Sequence, residues 1–229
     1  MSRVITKYSS EQVISLLDQL AVKELPVTKY KDVMHEVGRQ IGLTMATLIG
    51  EQSVYLVCTT EDADFLARGV LESLDSGARN LRLACYWNDR EAIFKQEGFS
   101  LKVAPPFRKY EEPYNDAKVL VILKSIISSG CVVKYNILSI IEKVNPTKII
   151  IAAPVMYSGA DNELRSEFQE NISSRFSFLT FAIDDERDSD ENIFPGIGGN
   201  VYKRLGFTDQ RDKNKFVPDI VRNRRQSFA

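Results

Sequence analysis

The chain has 229 residues, 44% of them hydrophobic, enough for one sizeable core, and it reads as a single domain. Thirty basic residues stand against thirty-one acidic ones, a net charge of −1, so no global field draws the protein to nucleic acid or to an anionic membrane. No stretch approaches the ~18 consecutive apolar residues of a membrane span, and MSRVITKYSSEQ lacks the charged-then-apolar run of a signal peptide, so a cytosolic protein is expected.

In chain order, Ser9 or Ser10 caps a helix over EQVISLLDQLA, and a second begins at Thr28 or Lys29, with Val33, Val37, Ile41 and Met45 at helical spacing. SVYLVCTT is too short for a buried helix and reads as a strand leading into the amphipathic helix TEDADFLARGVLESL. NLRLACYW is a second strand. Residues 88–116 mix charges, aromatics and PPFRKYEEPY, and read as an irregular excursion. KVLVILKS, IISSGCVVKYNILSIIEKV and KIIIAAPV form strand, turn, helix, strand, with the continuous apolar runs of parallel strands covered on both faces. NELRSEFQENI is a helix and FSFLTFAI a strand. A glycine-rich segment, FPGIGGNVYKRLGF, follows, and then a polar tail over residues 208–229.

The three cysteines, Cys58, Cys85 and Cys131, are widely spaced without a CxxC pair, and buried thiols account for them more simply than a disulfide framework or a zinc site. His35, the only histidine, lies inside a helix and reads as a partly exposed helix residue, and Tyr86 and Trp87, which have the rings to stack on a base, read more simply as core packing. The acidic run DDERDSDE lacks the glycine and spacing of a calcium loop and reads as solvated.

A parallel sheet places ligands outside the carboxyl ends of its strands, which directs attention to the turns after Val57, Ile122 and Ala153. Ser128, Ser129, Gly130, Cys131 and Val132 open the central helix. Small residues there let backbone N–H groups converge on an anion; the plainer alternative is that Ser129 caps the helix and Gly130 makes the turn. The stretch is neither a GK[ST] loop nor a GxGxxG fingerprint.

The run VILKSIISSGCVVKYNILSIIEKV, AAP at 152–154, AID at 182–184 and PGIGG at 195–199 occur in the order and near the spacing of uracil phosphoribosyltransferases, which the chain resembles over about residues 20–207. The resemblance implies a type I phosphoribosyltransferase fold: a central parallel sheet flanked by helices, with N-terminal helices and a C-terminal hood. It also implies uracil and phosphoribosyl pyrophosphate (PRPP) as substrates, Mg²⁺ as the donor's cofactor, and a dimer or larger assembly. Under the hood the family recognises its base through backbone groups, which here fall on Ile193, Phe194, Gly196 and Gly198. Glycine allows the close backbone approach that such recognition needs.

The chain departs from this pattern in charge. Where the family engages the ribose with acidic residues it carries Lys124 and Ser125, and where the family's pyrophosphate loop has an arginine it carries Thr60, Glu61, Asp62 and Ala63. An ammonium ~5 Å from the cationic anomeric carbon, at an effective dielectric of ~20, costs roughly 3 kcal/mol. The hood's aspartates are replaced by Gly199 and Tyr202, while Asp184 is kept.

Three function classes follow. The first is a relative that has lost PRPP-dependent transfer and serves as an interaction or regulatory subunit, its tail docking on a partner or on a dimer mate. The second is a sensor or enzyme for another mononucleotide or pyrimidine ligand. The third is a working uracil phosphoribosyltransferase.

Overall fold

The computed structural model describes residues 3–75, 80–89, 91–96, 99–113, 116–188 and 192–227, and for 91–96 and 99–102 the backbone alone. Strand β1 (Arg3–Ile5), which the apolar pattern did not announce, precedes α1 (Glu11–Ala21). Ser10 caps that helix, its hydroxyl accepting from the Val13 amide at 3.3 Å. Helix α2 (Val27–Ile49) buries Val33, Val37, Ile41 and Met45, the stripe read from their spacing.

The chain then enters β2 (Val54–Thr59), a 3₁₀ turn (Thr60–Asp62), a wider π-type turn (Ala63–Ala67) and α3 (Arg68–Leu74). The helix expected from Thr60 onward is α-helical only in its second half, because Glu61 and Asp62 point inward to a lysine. After β3 (Leu81–Asn88), the segment expected to be irregular forms a hairpin of β4 (Glu91–Gln96) and β5 (Phe99–Val103), then β6 (Pro106–Glu111), antiparallel to β3. Proline and outward charges obscured β6, and both suit an edge strand. Arg108 lies over the Trp87 ring, 4.6 Å from its centroid, and Tyr110 turns inward.

The expected strand–helix–strand unit is present as β7 (Val119–Leu123), the short β8 (Ile126–Ile127), α4 (Cys131–Val144) and β9 (Lys148–Tyr157), with β7 and β9 parallel. The single helix expected over NELRSEFQENI is two, α5 (Ala160–Ser166) and α6 (Glu170–Ser173). Then come β10 (Phe176–Asp184), the pair β11 (Glu186–Arg187) and β12 (Ile193–Phe194), and α7 (Val201–Arg204), α8 (Gln210–Lys215) and α9 (Asp219–Ser227).

The main sheet has the order β1-β10-β9-β7-β2-β3-β6, with β8 alongside β9; its centre is parallel and its two edge strands are antiparallel. Strand alternation divides the core. Leu56, Cys58, Val121 and Leu123 face α1, α2 and α3, whereas Tyr55, Val57, Leu120 and Ile122 face α4. This is a mixed α/β fold with a largely parallel sheet covered on both faces. Among the described residues no helix is long and apolar enough to cross a membrane.

Candidate functional site at the strand ends

The sheet order places β2 beside β7, so their carboxyl ends bring together the two segments whose charges departed from the family pattern. Lys124 Nζ donates to Glu61 Oε1 at 2.9 Å, to Asp62 Oδ2 at 2.5 Å and to Thr59 Oγ1 at 3.1 Å. Asp62 Oδ2 also accepts from the Thr59 hydroxyl and the Ser125 amide. All of these side chains are buried, Lys124 being 2% exposed. Burial works to raise the Glu61 carboxyl, but the charges of Lys124 and Lys213 outweigh it and hold it down at about 2. Burial likewise works to lower the Lys124 ammonium, and Asp62 and Glu61 reverse that, lifting it above its ordinary value. Glu61 Oε2, Asp62 Oδ1 and Ser125 Oγ are buried without a hydrogen-bond partner. The two charge departures seen in the sequence are partners of one another.

A cleft of about 120 Å³ opens between this cluster and the glycine-rich segment, lined by Lys124, Ile126, Ser128, Ile193, Gly199 and Tyr202, with Asn192, Asn200 and Val201. Of the residues expected to cradle phosphate, Ser128 reaches the cleft wall, Ser129 is exposed, Cys131 is half-buried and Val132 is buried. Gly130, at φ 66°, is the N-cap of α4, and no side chain caps that helix; the expected Ser129 cap is not made.

The hood is held mainly by its backbone. Asp184, fully buried, accepts two bonds from Arg3, at 2.9 and 2.8 Å, and one from the Gly196 amide at 2.9 Å, while Arg3 also donates to the Gly196 carbonyl. Asp184 thus fastens the turn. Of the expected base-contacting residues, Ile193 lines the cleft, with Gly199 beside it; Phe194, Gly196 and Gly198 are not part of the wall. Gly198, at φ +81°, lies so close to α1 that a Cβ there would stand 2.3 Å from the Leu20 carbonyl oxygen. Gly199, at φ +102°, faces open space. Tyr30 and Arg204 complete the clamp, donating to the Ile197 and Val22 carbonyls.

A Gly198→Ala substitution is therefore expected to destabilise the protein by more than about 1 kcal/mol, since strain and overlap coincide. Gly199→Ala carries the strain alone. Urea denaturation of both variants separates the terms, and equal losses would remove the packing explanation for Gly198.

The tail over residues 208–229, expected to be solvated or to dock elsewhere, is anchored on its own chain beside this cluster at several points, while much of its described length is exposed. The Phe216 carbonyl accepts from Trp87 Nε1 at 2.7 Å and from Thr60 Oγ1 at 3.3 Å. Lys213, 1% exposed, donates to the Asn88 carbonyl at 2.8 Å. Asp64 accepts from the Asp219 and Ile220 amides at the start of α9, Val221 is fully buried, and Arg224 pairs with the buried Glu112. Nothing in the tail's charged sequence signalled these contacts beyond the apolar residues Phe216, Val217, Ile220 and Val221 between the charges. His35 is a helix residue as expected and pairs with Glu72 of α3 at 2.9 Å. Residues 189–191 of the acidic run lie outside the described residues. Among the described residues no group of three or more His, Cys, Asp or Glu side chains is placed to hold a metal ion.

The fold and site define an α/β protein with a mostly parallel sheet, whose strand-end cluster pairs one buried lysine with two carboxylates and is flanked by its own C-terminal helices. No protein-family model and no curated protein matches the sequence. Among solved structures, the AQ2163 protein of Aquifex aeolicus is similar with a TM-score of 0.70 at 14% identity, over 90% of this chain and 99% of its own, and what the two share is the fold. Adenine phosphoribosyl transferase of Trypanosoma brucei, solved with AMP, pyrophosphate and ribose-5-phosphate, gives 0.49 at 12% identity over 98% and 99%. Xanthine-guanine-hypoxanthine phosphoribosyltransferase of Helicobacter pylori gives 0.35 at 14% identity over 66% and 88%.

Proposed function

We propose that the chain is a phosphoribosyltransferase-like protein that does not use PRPP and serves as a binding or regulatory subunit. The observation that carries this reading is the Lys124 cluster: at the positions expected to meet the donor, Lys124 is buried and ion-paired with Glu61 and Asp62. A donor carrying several negative charges would have to break those bonds and leave Glu61 and Asp62 facing its pyrophosphate. Lys124 and Ser125 also bring no carboxylate to a Mg²⁺–PRPP complex, so the residues present do not fit that cofactor. Calorimetric titration of the purified chain with PRPP and Mg²⁺, run beside a uracil-to-UMP assay, is expected to give neither heat nor UMP. Binding with turnover would instead make it a working uracil phosphoribosyltransferase.

A second reading, a mononucleotide or pyrimidine sensor, is favoured by the cleft that remains beside Ser128 and the start of α4. There α4 has no side-chain cap, and the Gly199 turn faces open space. Binding of UMP or uracil without PRPP would support it. The subunit reading carries with it a homo-oligomer, which sedimentation of the purified chain tests, and a cytoplasmic location.

A further inference from the structure

The parallel register of β2 and β3 sets Cys58 directly opposite Cys85. Partners in such a register project to the same face, and both cysteines belong to the core beneath α2 and α3, with Leu56, Leu83 and Trp87. The Cys58 thiol donates to the Ala84 carbonyl, the residue before Cys85, at 3.7 Å. Neighbouring strands lie about 4.8 Å apart, inside the ~4.4–6.8 Å Cα separation that a disulfide spans.

We propose that Cys58 and Cys85 are an oxidisable dithiol, which a small-molecule disulfide or a peroxide converts to an intrachain disulfide. With a disulfide oxidant, one cysteine thiolate attacks a sulfur of the oxidant and releases one thiol. The second cysteine then attacks the mixed disulfide and releases the other. Two protein thiols lose two electrons and two protons, and the oxidant becomes two thiols. With a peroxide the first thiolate becomes a sulfenic acid, with release of the alcohol or water; the second cysteine displaces water from it.

Parallel Cβ vectors leave the two Cβ atoms about as far apart as the Cα atoms, beyond the ~3.5–4.5 Å of a relaxed bridge. Closure therefore draws the strands together and yields a readily reduced bond. The strands involved run straight into Thr59–Asp62 and into Trp87–Asn88, so closure bears on both the Lys124 cluster and the anchor of the C-terminal segment. Both thiols are fully buried, and burial raises the Cys85 thiol well above its ordinary value, so the reaction proceeds at the rate of local opening.

The test is exposure of the full chain to oxidised glutathione and, separately, to hydrogen peroxide, followed by alkylation in denaturant and peptide mass mapping. The expected product is a cross-linked peptide pair through Cys58 and Cys85, present in most molecules, reversed by dithiothreitol, and formed equally in Cys131→Ser. Cys58→Ala and Cys85→Ala, each checked for a native circular dichroism spectrum, lose it; if neither folds, the mapping of the unaltered chain decides. Full alkylation of Cys58 and Cys85 while Cys131 carries glutathione overturns the proposal, as does either one bridged to Cys131.

Discussion

Lys124→Met is expected to destabilise the folded chain by about 3–5 kcal/mol, the usual consequence of leaving buried charges without their partner. For a chain of this size that corresponds to a fall in Tm of roughly 10 °C. Glu61 and Asp62 would stay in the interior without the cation they both bond, leaving only the Lys213 charge acting on Glu61, and the Thr59 hydroxyl cannot replace an ammonium. Adding Glu61→Gln and Asp62→Asn to Lys124→Met is expected to restore most of the loss, because neutral amides do not repel each other. Calorimetric melting of the single and triple variants makes the comparison. A single variant within about 1 kcal/mol of the parent would show that the cluster is not a matched unit.

The same cluster sets an acid dependence. The Glu61 carboxyl is lowered from 4.5 to about 2, so the stability it contributes is present above pH 4.5 and is lost as pH falls toward 2. Lys124 is raised, so its contribution is present below its ordinary value and is lost only in strong alkali. The urea midpoint of the parent should fall more steeply between pH 4.5 and 2 than that of Glu61→Gln. Parallel curves would count against the shift.

Ending the chain after Phe207 is the second change with a large expected effect. It removes the Phe216 carbonyl from Trp87 Nε1, the two α9 amides from Asp64 and Arg224 from Glu112, and it opens the site of Val221. Each buried polar group left without a partner costs about 1–3 kcal/mol. The sum predicts a loss of several kcal/mol and a red shift of the emission of Trp87, the single tryptophan. Arg224→Ala in the full chain is the milder form, with an expected loss of about 1–3 kcal/mol. If both variants keep the parent's stability and emission, the C-terminal segment only rests on the domain.

Such contacts explain what the amino-acid pattern could and could not disclose about the site. Ser128 and Ile193, expected at a ligand-facing position from a helix start and a glycine turn at the end of a parallel strand, do line the cleft. Asp184 was legible as a polar residue of consequence, yet its role depends on Arg3, which arrives on an edge strand too short for an alternating pattern. Gly196 and Gly198 were read as making room for a ligand. The room they make is for the chain itself, against Ile193 and Leu20.

The sequence by itself determined the elements whose causes are local: Ser10 at the start of α1, the buried stripe of α2, and the apolar runs of β2, β7 and β9 with α4 between the last two. Capping and periodicity act over a few residues, so they can be read without knowing what lies opposite. It also determined the sign of every charge at the strand ends. Only the tertiary structure decided what those charges do. Lys124 meets Glu61 and Asp62, 63 and 62 residues earlier, because the sheet order sets β7 beside β2. Cys58 meets Cys85 because β3 lies on the other side of β2, and Lys213 reaches Asn88 because α8 folds back over the end of β3. Whether two distant charges repel a ligand or neutralise each other depends on the few ångströms between them, and strand order, which no local pattern encodes, sets that distance.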